Sequence, residues 1–439
     1  MFGNRLYLIL IGGITVLVLI LFIIVLSTGG GAPGSGQKIP LTFWGVFDTK
    51  NYYDKVIADY KALFPNIGVS YRQFSYEDYE KELVDALAAG TGPDIIMFHH
   101  TWLPKHQDKL KPAPEMIPGE ENKFFTVADY QAQFVEVAQK DLVKGKEVYG
   151  FPLYLDTLAL FYNRDIFNNA GLTSPPKNWE EFNRYVEILT KLENGNITKP
   201  GAAIGAAENI NRGSDILMAL MIQSGVRMND EVGRPSFTKT VEGERVGERS
   251  LEYYTSFANP KSRAYTWDDD QEYSIDAFTQ GKVAMMFNYS HQIRNIKSKA
   301  ARLNFAVAPM PQANPSDSRN YANYWAVGVS NKSQNYIEAW KFLRYLTSKT
   351  GAIDYLNAAA RPSARRDVID LQKNDPFLGL FALQALTARS WYQVDNEAIE
   401  DIFNDMIDDV NSGRTSVREA LRSAESEINV LISNKQSEI

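Results

Sequence analysis

The chain has 439 residues, of which 44% are hydrophobic and 23% are charged, and its net charge is 46 − 53 = −7. This length predicts two to three globular units, and the acidic balance argues against a nucleic-acid partner while being compatible with a neutral small ligand. The absence of cysteine excludes disulfides, cysteine-type zinc sites, a thiol nucleophile and a lipid-modified N-terminal cysteine.

The N-terminal 37 residues differ from this soluble composition. Residues 6–26 are uncharged and would span about 31 Å as a helix, which is enough to cross a bilayer. Because the run is longer than the apolar core of a signal peptide, we expect an uncleaved transmembrane anchor. Arg5 favours a cytoplasmic tip at residues 1–5, which makes the protein single-pass in the cell membrane with its bulk outside the cytoplasm. Residues 27–37 are rich in glycine and predict a flexible linker.

Strands and helices alternate where the folded part begins. Period-2 and period-3.6 patterns predict, in order, a strand, a helix, a strand, a helix and a strand at residues 41–47, 51–64, 69–74, 77–89 and 94–98. This order with short loops is typical of a doubly wound α/β sheet. Further strands are predicted within residues 149–162, 282–289, 303–309 and 324–329, and further helices at residues 134–142, 209–225, 240–257 and 396–410 and after Asn178, Asn335 and Ser416.

The turn after the third strand carries polar and aromatic side chains. Ligands of open α/β sheets lie at the carboxyl ends of the strands, so we expect a ligand near Phe98, His99, His100, Thr101 and Trp102. The ordinary alternative is a strand end followed by unremarkable loop residues.

Aromatic residues recur at other predicted strand ends. Flat rings stack on the apolar faces of sugars, and neighbouring polar groups hydrogen-bond the hydroxyls, so this pattern favours a saccharide ligand. Trp179 and Trp340 lie on helix faces and are expected in the core instead. The further ligand candidates of this aromatic class are Trp44, Tyr289, Tyr324, Trp325 and Trp391.

Sequence motifs for catalysis or metal binding are absent from the chain. It has no Gly-x-Ser-x-Gly elbow, no His-Glu-x-x-His and no phosphate-binding Gly-x-x-x-x-Gly-Lys. Adjacent His99 and His100 are poorly placed to chelate one ion, and the acidic triplet at residues 268–270 lacks the glycine and distal glutamate of a calcium loop. We therefore expect no metal, cofactor or enzyme activity, although a carboxylate pair for glycoside hydrolysis stays open.

Five segments resemble one protein family in its own order. They are residues 88–98 (AAGTGPDIIMF), 158–167 (LALFYNRDIF), 175–182 (PPKNWEEF), 281–288 (GKVAMMFN) and 412–421 (SGRTSVREAL). Together they resemble the extracellular solute-binding proteins of ABC importers, in the family that includes maltose-binding protein.

The resemblance implies a type II periplasmic-binding-protein fold, with two lobes that each hold a doubly wound sheet. Lobe 1 would comprise residues 38–153 and 326–362, and lobe 2 residues 154–325 and 363–439. Carried over by position, Phe98 to Trp102 match the family's ligand loop and Asp48 lies near its first-strand contact. Asp156 matches a cleft carboxylate at the first crossing, His291 falls where an aromatic contact often sits, and Trp325 lies on the returning strand.

The expected function is therefore a membrane-tethered, extracytoplasmic protein that binds a small ligand. The ligand would be a mono- or oligosaccharide, held between hinged lobes and passed to the permease subunits of an ABC importer. Two alternatives stay open: a membrane-anchored polysaccharide hydrolase, and a sensor or adhesion ectodomain with the same fold.

Overall fold

The architecture is taken from a computed structural model that describes residues 38–437. The predicted anchor at residues 6–26 and the linker at residues 27–37 lie outside this range. Within the described range, no helix combines the length and the apolar character needed to cross a lipid bilayer.

The strands are numbered in chain order. They are β1 Ile39–Val46, β2 Ile67–Phe74, β3 Ile95–His99, β4 Leu110–Lys111, β5 Val143–Lys144, β6 Glu147–Val148, β7 Phe151–Pro152, β8 Asp156–Thr157, β9 Ala159–Asn163, β10 Lys191–Glu193, β11 Asn196–Lys199, β12 Ala202–Ala203, β13 Met285–Asn288, β14 Phe305–Pro309, β15 Asn320–Asn323, β16 Trp325–Ser330 and β17 Ala388–Arg389.

The α-helices are numbered in the same way, and short 3₁₀ turns are left unnumbered. They are α1 Asp54–Leu63, α2 Tyr76–Ala88, α3 Leu103–His106, α4 Val127–Gln133, α5 Glu136–Leu142, α6 Arg164–Asn169, α7 Trp179–Leu189, α8 Gly213–Gln223, α9 Val246–Ser256, α10 Ser274–Thr279, α11 Gln292–Lys299, α12 Tyr336–Leu346, α13 Lys349–Ala359, α14 Arg366–Gln372, α15 Gly379–Gln384, α16 Asn396–Asn411 and α17 Val417–Ser437.

The first lobe is built on a sheet with the strand order β2-β1-β3-β16-β4, and β7 also pairs with β16. Strands β1, β2 and β3 run parallel, as the alternating strand and helix pattern predicts, whereas β16 runs antiparallel to β3. All five residues of β3 are buried because helices cover both faces of the sheet. The register pairs Trp325 with His99, so two predicted ligand residues are neighbours across strands.

The second lobe is built on a sheet with the strand order β12-β13-β9-β14. Strand β9 is antiparallel to both β13 and β14, and β12 is parallel to β13. Helix α8 is buried along its whole length beside this sheet, and the Trp267 ring is fully buried in the same core. Trp179 and Trp340 are also buried in apolar cores, which confirms their predicted place.

The chain passes between the two lobes at three places. Leu155 packs in the first core and Leu158 in the second, and Tyr321 packs in the second core while Ala322 packs in the first. A small sheet of β17, β15 and β8 joins the first two crossings. The third crossing runs through α15. It lies C-terminal to the predicted lobe boundary at residue 362, because Val368 and Ile369 of α14 still pack in the first core.

Most predicted elements are present with shifted ends. The strand predicted at residues 41–47 ends at Val46, because Phe47 has a left-handed φ of 61°. The helix predicted at residues 209–225 begins at Gly213, because Arg212 has a left-handed φ of 72°. Asn178 caps α7 as predicted, with its Oδ1 accepting the Glu181 backbone N–H at 2.9 Å.

Candidate functional site

A cavity of about 370 Å³ lies between the two lobes, beside the crossing strands. This volume falls within the usual range of small-molecule sites. The first lobe and the crossings supply Phe47, Tyr76, Glu77, His99, Tyr154 and Trp325, and the second lobe supplies Asn211, Arg212, Asp215, Met218, His291 and Glu400.

One wall of this cavity is aromatic. The Phe47 ring lies 5.4 Å from the Tyr76 ring in a nearly parallel arrangement, and 5.6 Å from the Trp325 ring in an edge-on arrangement. Phe47 is 48% exposed although it is apolar, whereas Trp325 is almost fully buried among neighbouring rings. A ring that stays open beside a cavity can take a ligand's apolar face without rearrangement.

The opposite wall carries charges from the second lobe. Asp215 on α8 accepts a hydrogen bond from the Tyr289 hydroxyl at 2.8 Å, and Arg212 immediately precedes the same helix. Burial, together with the neighbouring Asp215 carboxylate, raises the pKa of Glu400 to about 7. Burial also raises the pKa of Asp215. Arginine and carboxylate side chains in such a wall can hydrogen-bond several hydroxyls at once.

Two histidines face the cavity in their neutral form. Burial lowers the pKa of His99, and His100 and Arg212 lower it further. Burial also lowers the pKa of His291, with additional lowering by Arg361 and Arg212. A neutral imidazole offers one donor and one acceptor, which suits a hydroxyl-bearing ligand.

A second cavity of about 550 Å³ continues from the first. The two share Phe47, His291 and Arg361, so Arg361 stands at their junction. Together the two cavities form one cleft.

Strained backbone residues surround this cleft. Phe47, Arg212 and Ala360, which precedes Arg361, have φ values of 61°, 72° and 51°. Non-glycine residues in the left-handed region cost stability and are concentrated at functional sites. Each of the three residues lines one or both cavities, so the strain coincides with the cleft.

Direct contacts hold the lobes together at the rim. The Trp102 indole N–H donates to the Asn396 side-chain oxygen at 2.8 Å, and Lys105 contacts Asp395 at 2.6 Å across the same boundary. On another side, the Arg294 guanidinium donates to the Tyr52 hydroxyl. The described lobes are therefore in a closed arrangement.

The structure brings three of the predicted site residues to the first cavity. These are His99, His291 and Trp325. Asp48 and Asp156 lie behind the cleft as fully buried carboxylates near Arg361. Asp48 accepts hydroxyl hydrogen bonds from tyrosines, and Asp156 accepts from the Ser290 backbone N–H and hydroxyl, which ties the first crossing to the loop that carries His291.

Other predicted residues do not line the cleft. Trp44 packs against the Phe74 ring, with 4.6 Å between the ring centroids. Phe98 packs against Gly150, where an added Cβ would come within 2.7 Å of its ring. Trp102 is buried, and Tyr289 acts on the cleft through Asp215.

Four predicted residues lie on the other side of the crossing strands from the cleft. They are His100, Thr101, Tyr324 and Trp391. The Tyr324 hydroxyl donates to Asp141 at 2.8 Å, and His100 is within 3.0 Å of the same carboxylate. A separate cavity of about 520 Å³ lies there, lined by His100, Thr101 and Trp391 among others.

Several cleft residues carry no local signal in the sequence. Arg212, Asp215 and Glu400 come from two helices and are brought together by tertiary packing. Phe47 had a usable signal, since it is an aromatic residue directly after a strand end. Within residues 38–437, no cluster of three or more His, Asp or Glu side chains is arranged to hold a metal ion.

Comparison with known proteins identifies relatives across most of the chain. A sequence profile of a family described as bacterial extracellular solute-binding protein matches residues 55–377. A binding protein of Brucella abortus is 25% identical over 307 residues, which is 69% of this chain and 69% of its own length. The maltotriose-binding protein of Pyrococcus abyssi is 26% identical over 317 residues, 69% of this chain and 61% of its own length.

Solved structures share the architecture. The sugar-binding protein MalE of Xanthomonas citri superposes with a TM-score of 0.75, covering 91% of this chain and 98% of its own. Its sequence identity of 18% makes this a likeness of fold.

Proposed function

The chain belongs to the bacterial extracellular solute-binding protein family, and from this premise we propose that it captures a mono- or oligosaccharide between its lobes and delivers it to an ABC importer. The observation that carries the proposal is the interlobe cleft, in which the Phe47 and Trp325 rings face Arg212, Asp215 and Glu400. Rings for sugar faces and charged groups for hydroxyls are the two requirements of saccharide binding. The matching relative named as a maltotriose-binding protein supports the same ligand class.

Closure of the lobes provides the physical mechanism. A ligand that touches both lobes favours the closed state by its differential affinity for closed over open. Its polar contacts are then shielded from water, which strengthens them. An importer that recognises the closed form would thereby receive loaded protein in preference to empty protein.

Calorimetric titration with a panel of mono- and oligosaccharides tests this proposal. We expect at least one saccharide to bind with a one-to-one stoichiometry and to be recovered intact by chromatography afterwards. Recovery of shortened products would instead support the hydrolase alternative. A complete lack of saccharide binding would refute the proposal.

We further propose that residues 6–26 anchor the protein in the cell membrane, with the lobes outside the cytoplasm. The length and uncharged character of the segment support this assignment. The test is to fractionate cells that express the full chain or a chain lacking residues 1–37 behind a cleavable signal. Full-length protein should require detergent for release, and the shortened protein should not.

A further inference from the structure

The second cavity of the cleft is basic although the whole protein is acidic. Its charged lining consists of Arg294, Lys297, Arg361 and a single carboxylate, Asp375. Asp375 is already engaged, because its Oδ1 accepts the backbone N–H groups of Phe377 and Leu378 at 2.9 and 2.7 Å. The lining of this cavity therefore carries three positive charges and one negative charge, within a chain of net charge −7.

Two of these cations form no hydrogen bond or close ion pair in the described part of the chain. Arg361 is largely buried over the Tyr154 ring at 4.7 Å, and no hydrogen bond or ion pair engages its guanidinium. Lys297 lies over the Phe377 ring at 3.4 Å, again with no ion pair among the described residues. The buried carboxylates of Asp48 and Asp156 interact with Arg361 by charge from behind the cavity. Asp48 Oδ2 accepts from tyrosine hydroxyls while its Oδ1 has no hydrogen-bond partner within residues 38–437, and Asp156 accepts from the Ser290 hydroxyl.

The first cavity is also lined by an arginine with an unsatisfied N–H group. The Nε of Arg212 is buried and has no hydrogen-bond partner in the described residues. Asp215 and Glu400 act on the charge of Arg212, so the unmet requirement is the hydrogen bond of this N–H group. A buried N–H group without an acceptor is costly, and a bidentate acid group matches the geometry of a guanidinium best. Neutral hydroxyls could satisfy single N–H groups, but an acid group would in addition attract the three cations that line the second cavity.

We propose that the ligand is an anionic saccharide whose acid group binds Arg361, with Lys297 and Arg294 around it. The inference rests on the proposed function and adds the charge class of the ligand. The sugar ring packs on Phe47 and Trp325, while its hydroxyls face Asp215 and Glu400 in the first cavity. A carboxylate and a phosphate are both anions that accept bidentate hydrogen bonds from a guanidinium, so both acid groups match Arg361.

Titration with matched ligand pairs tests this inference. One arm compares di- and trigalacturonate with their methyl esters, and a second compares galactose 1-phosphate with galactose. Maltotriose and mannobiose represent neutral oligosaccharides. We expect an acidic member of one arm to bind at least tenfold more tightly than its neutral match and to lose affinity as NaCl rises from 50 to 500 mM. The arm that responds identifies the acid group.

Three variants test whether the preference for an anionic ligand arises in the second cavity. Lys297→Gln should lower the ratio of anionic to neutral affinity several-fold, because the residue lines the basic cavity, and the substitution removes the charge of an exposed side chain. Lys299→Gln is the matched control, since Lys299 is on the same helix but contacts Asp276 outside the cavity. Arg361→Gln should have the largest effect, and its thermal unfolding is measured so that misfolding is recognised.

The outcomes separate this inference from the proposed function. Tight binding of a neutral saccharide with no gain from an acid group would overturn the inference and leave the proposed function standing. If Lys297→Gln and Lys299→Gln have the same ratio of anionic to neutral affinity, the inference is likewise overturned. If no saccharide of either kind binds, both are overturned.

Discussion

At Phe47 a half-exposed phenyl ring is attached to a left-handed backbone. Both features cost stability, since the ring gains little from burial and the left-handed conformation costs a non-glycine residue about 1–2 kcal/mol. The position lines both cavities of the cleft. We interpret the residue as a ligand contact that is retained at the expense of stability.

Substitutions at Phe47 should therefore separate stability from binding. Phe47→Gly relieves the backbone strain and should raise the free energy of unfolding by up to about 1 kcal/mol, while weakening saccharide binding by about 1–2 kcal/mol. Urea denaturation and calorimetric titration measure the two effects. Phe47→Ala should bind equally weakly without the gain in stability, and Phe64→Ala, at another exposed phenylalanine, should bind like the wild type. Wild-type affinity in Phe47→Gly would contradict the assignment.

Glu400 should make the stability of the empty protein depend on pH. Because its pKa is raised from 4.5 to about 7, the folded protein keeps a proton that the unfolded chain has lost between these values. Stability from this group is therefore present below pH 4.5 and is lost as the pH rises through 7, by on the order of 2 kcal/mol. Urea denaturation of the wild type and Glu400→Gln at pH 5 and pH 8 measures the difference. A variant with the same pH dependence as the wild type would show that Glu400 is not the cause.

At the scale of elements, the strand and helix order of the first lobe follows from periodicity, but the position of β16 does not. β16 pairs with β3 although 225 residues separate the end of β3 at His99 from the start of β16 at Trp325. Local patterns carry no information about such pairing. The sequence therefore predicts His99 and Trp325 as separate candidates, and the sheet makes them neighbours.

The remaining cleft residues were missed for a related reason. Arg212, Asp215 and Glu400 are three of many charged residues on polar or mixed segments, and nothing nearby in the chain distinguishes them. Conversely, Trp44 and Phe98 satisfy the rule that aromatic residues at strand ends meet ligands, yet Phe98 is buried in the first lobe's core and Trp44 packs against that core. An aromatic residue at a strand end indicates a ligand contact only when its side chain faces the gap between the lobes.

The contact between α16 and the turn after β3 should bias the lobes toward closure. Trp102→Phe keeps an aromatic ring and removes the indole N–H that donates to Asn396. The loss of one such hydrogen bond is worth about 0.5–1.5 kcal/mol, so the ratio of open to closed protein should rise roughly two- to tenfold. Small-angle scattering without ligand measures the change in size.

Trp340→Phe is the control for this experiment, because its indole N–H donates within the first lobe to the Lys111 carbonyl oxygen. It should leave the scattering curve of the empty protein unchanged. Identical curves for Trp102→Phe and the wild type would mean that the contact with Asn396 does not affect the lobe arrangement.

For the whole molecule, a ligand held by both lobes should stabilise them as a unit. The cleft draws side chains from both apolar cores, so a bound saccharide links the unfolding of the two. At a ligand concentration of 100 Kd, the free energy of unfolding should rise by about 2.7 kcal/mol.

Urea denaturation followed by far-UV circular dichroism measures this linkage, with a non-binding sugar as the control. The midpoint should move to higher urea in proportion to the logarithm of the ligand concentration. A saccharide that binds by calorimetry without moving the midpoint would indicate that it occupies a site outside the cleft.

The insertion of β16 between β3 and β4 also sets the order in which the protein can be completed during its synthesis. Residues 158–321 of the second lobe leave the ribosome before β16 does. One edge of β3 therefore has no paired strand while roughly half of the polypeptide is synthesised. Exposed strand edges invite association with other chains. The nascent protein is therefore most vulnerable just before residue 330 emerges, and a chaperone or the export machinery would have the greatest benefit in that interval.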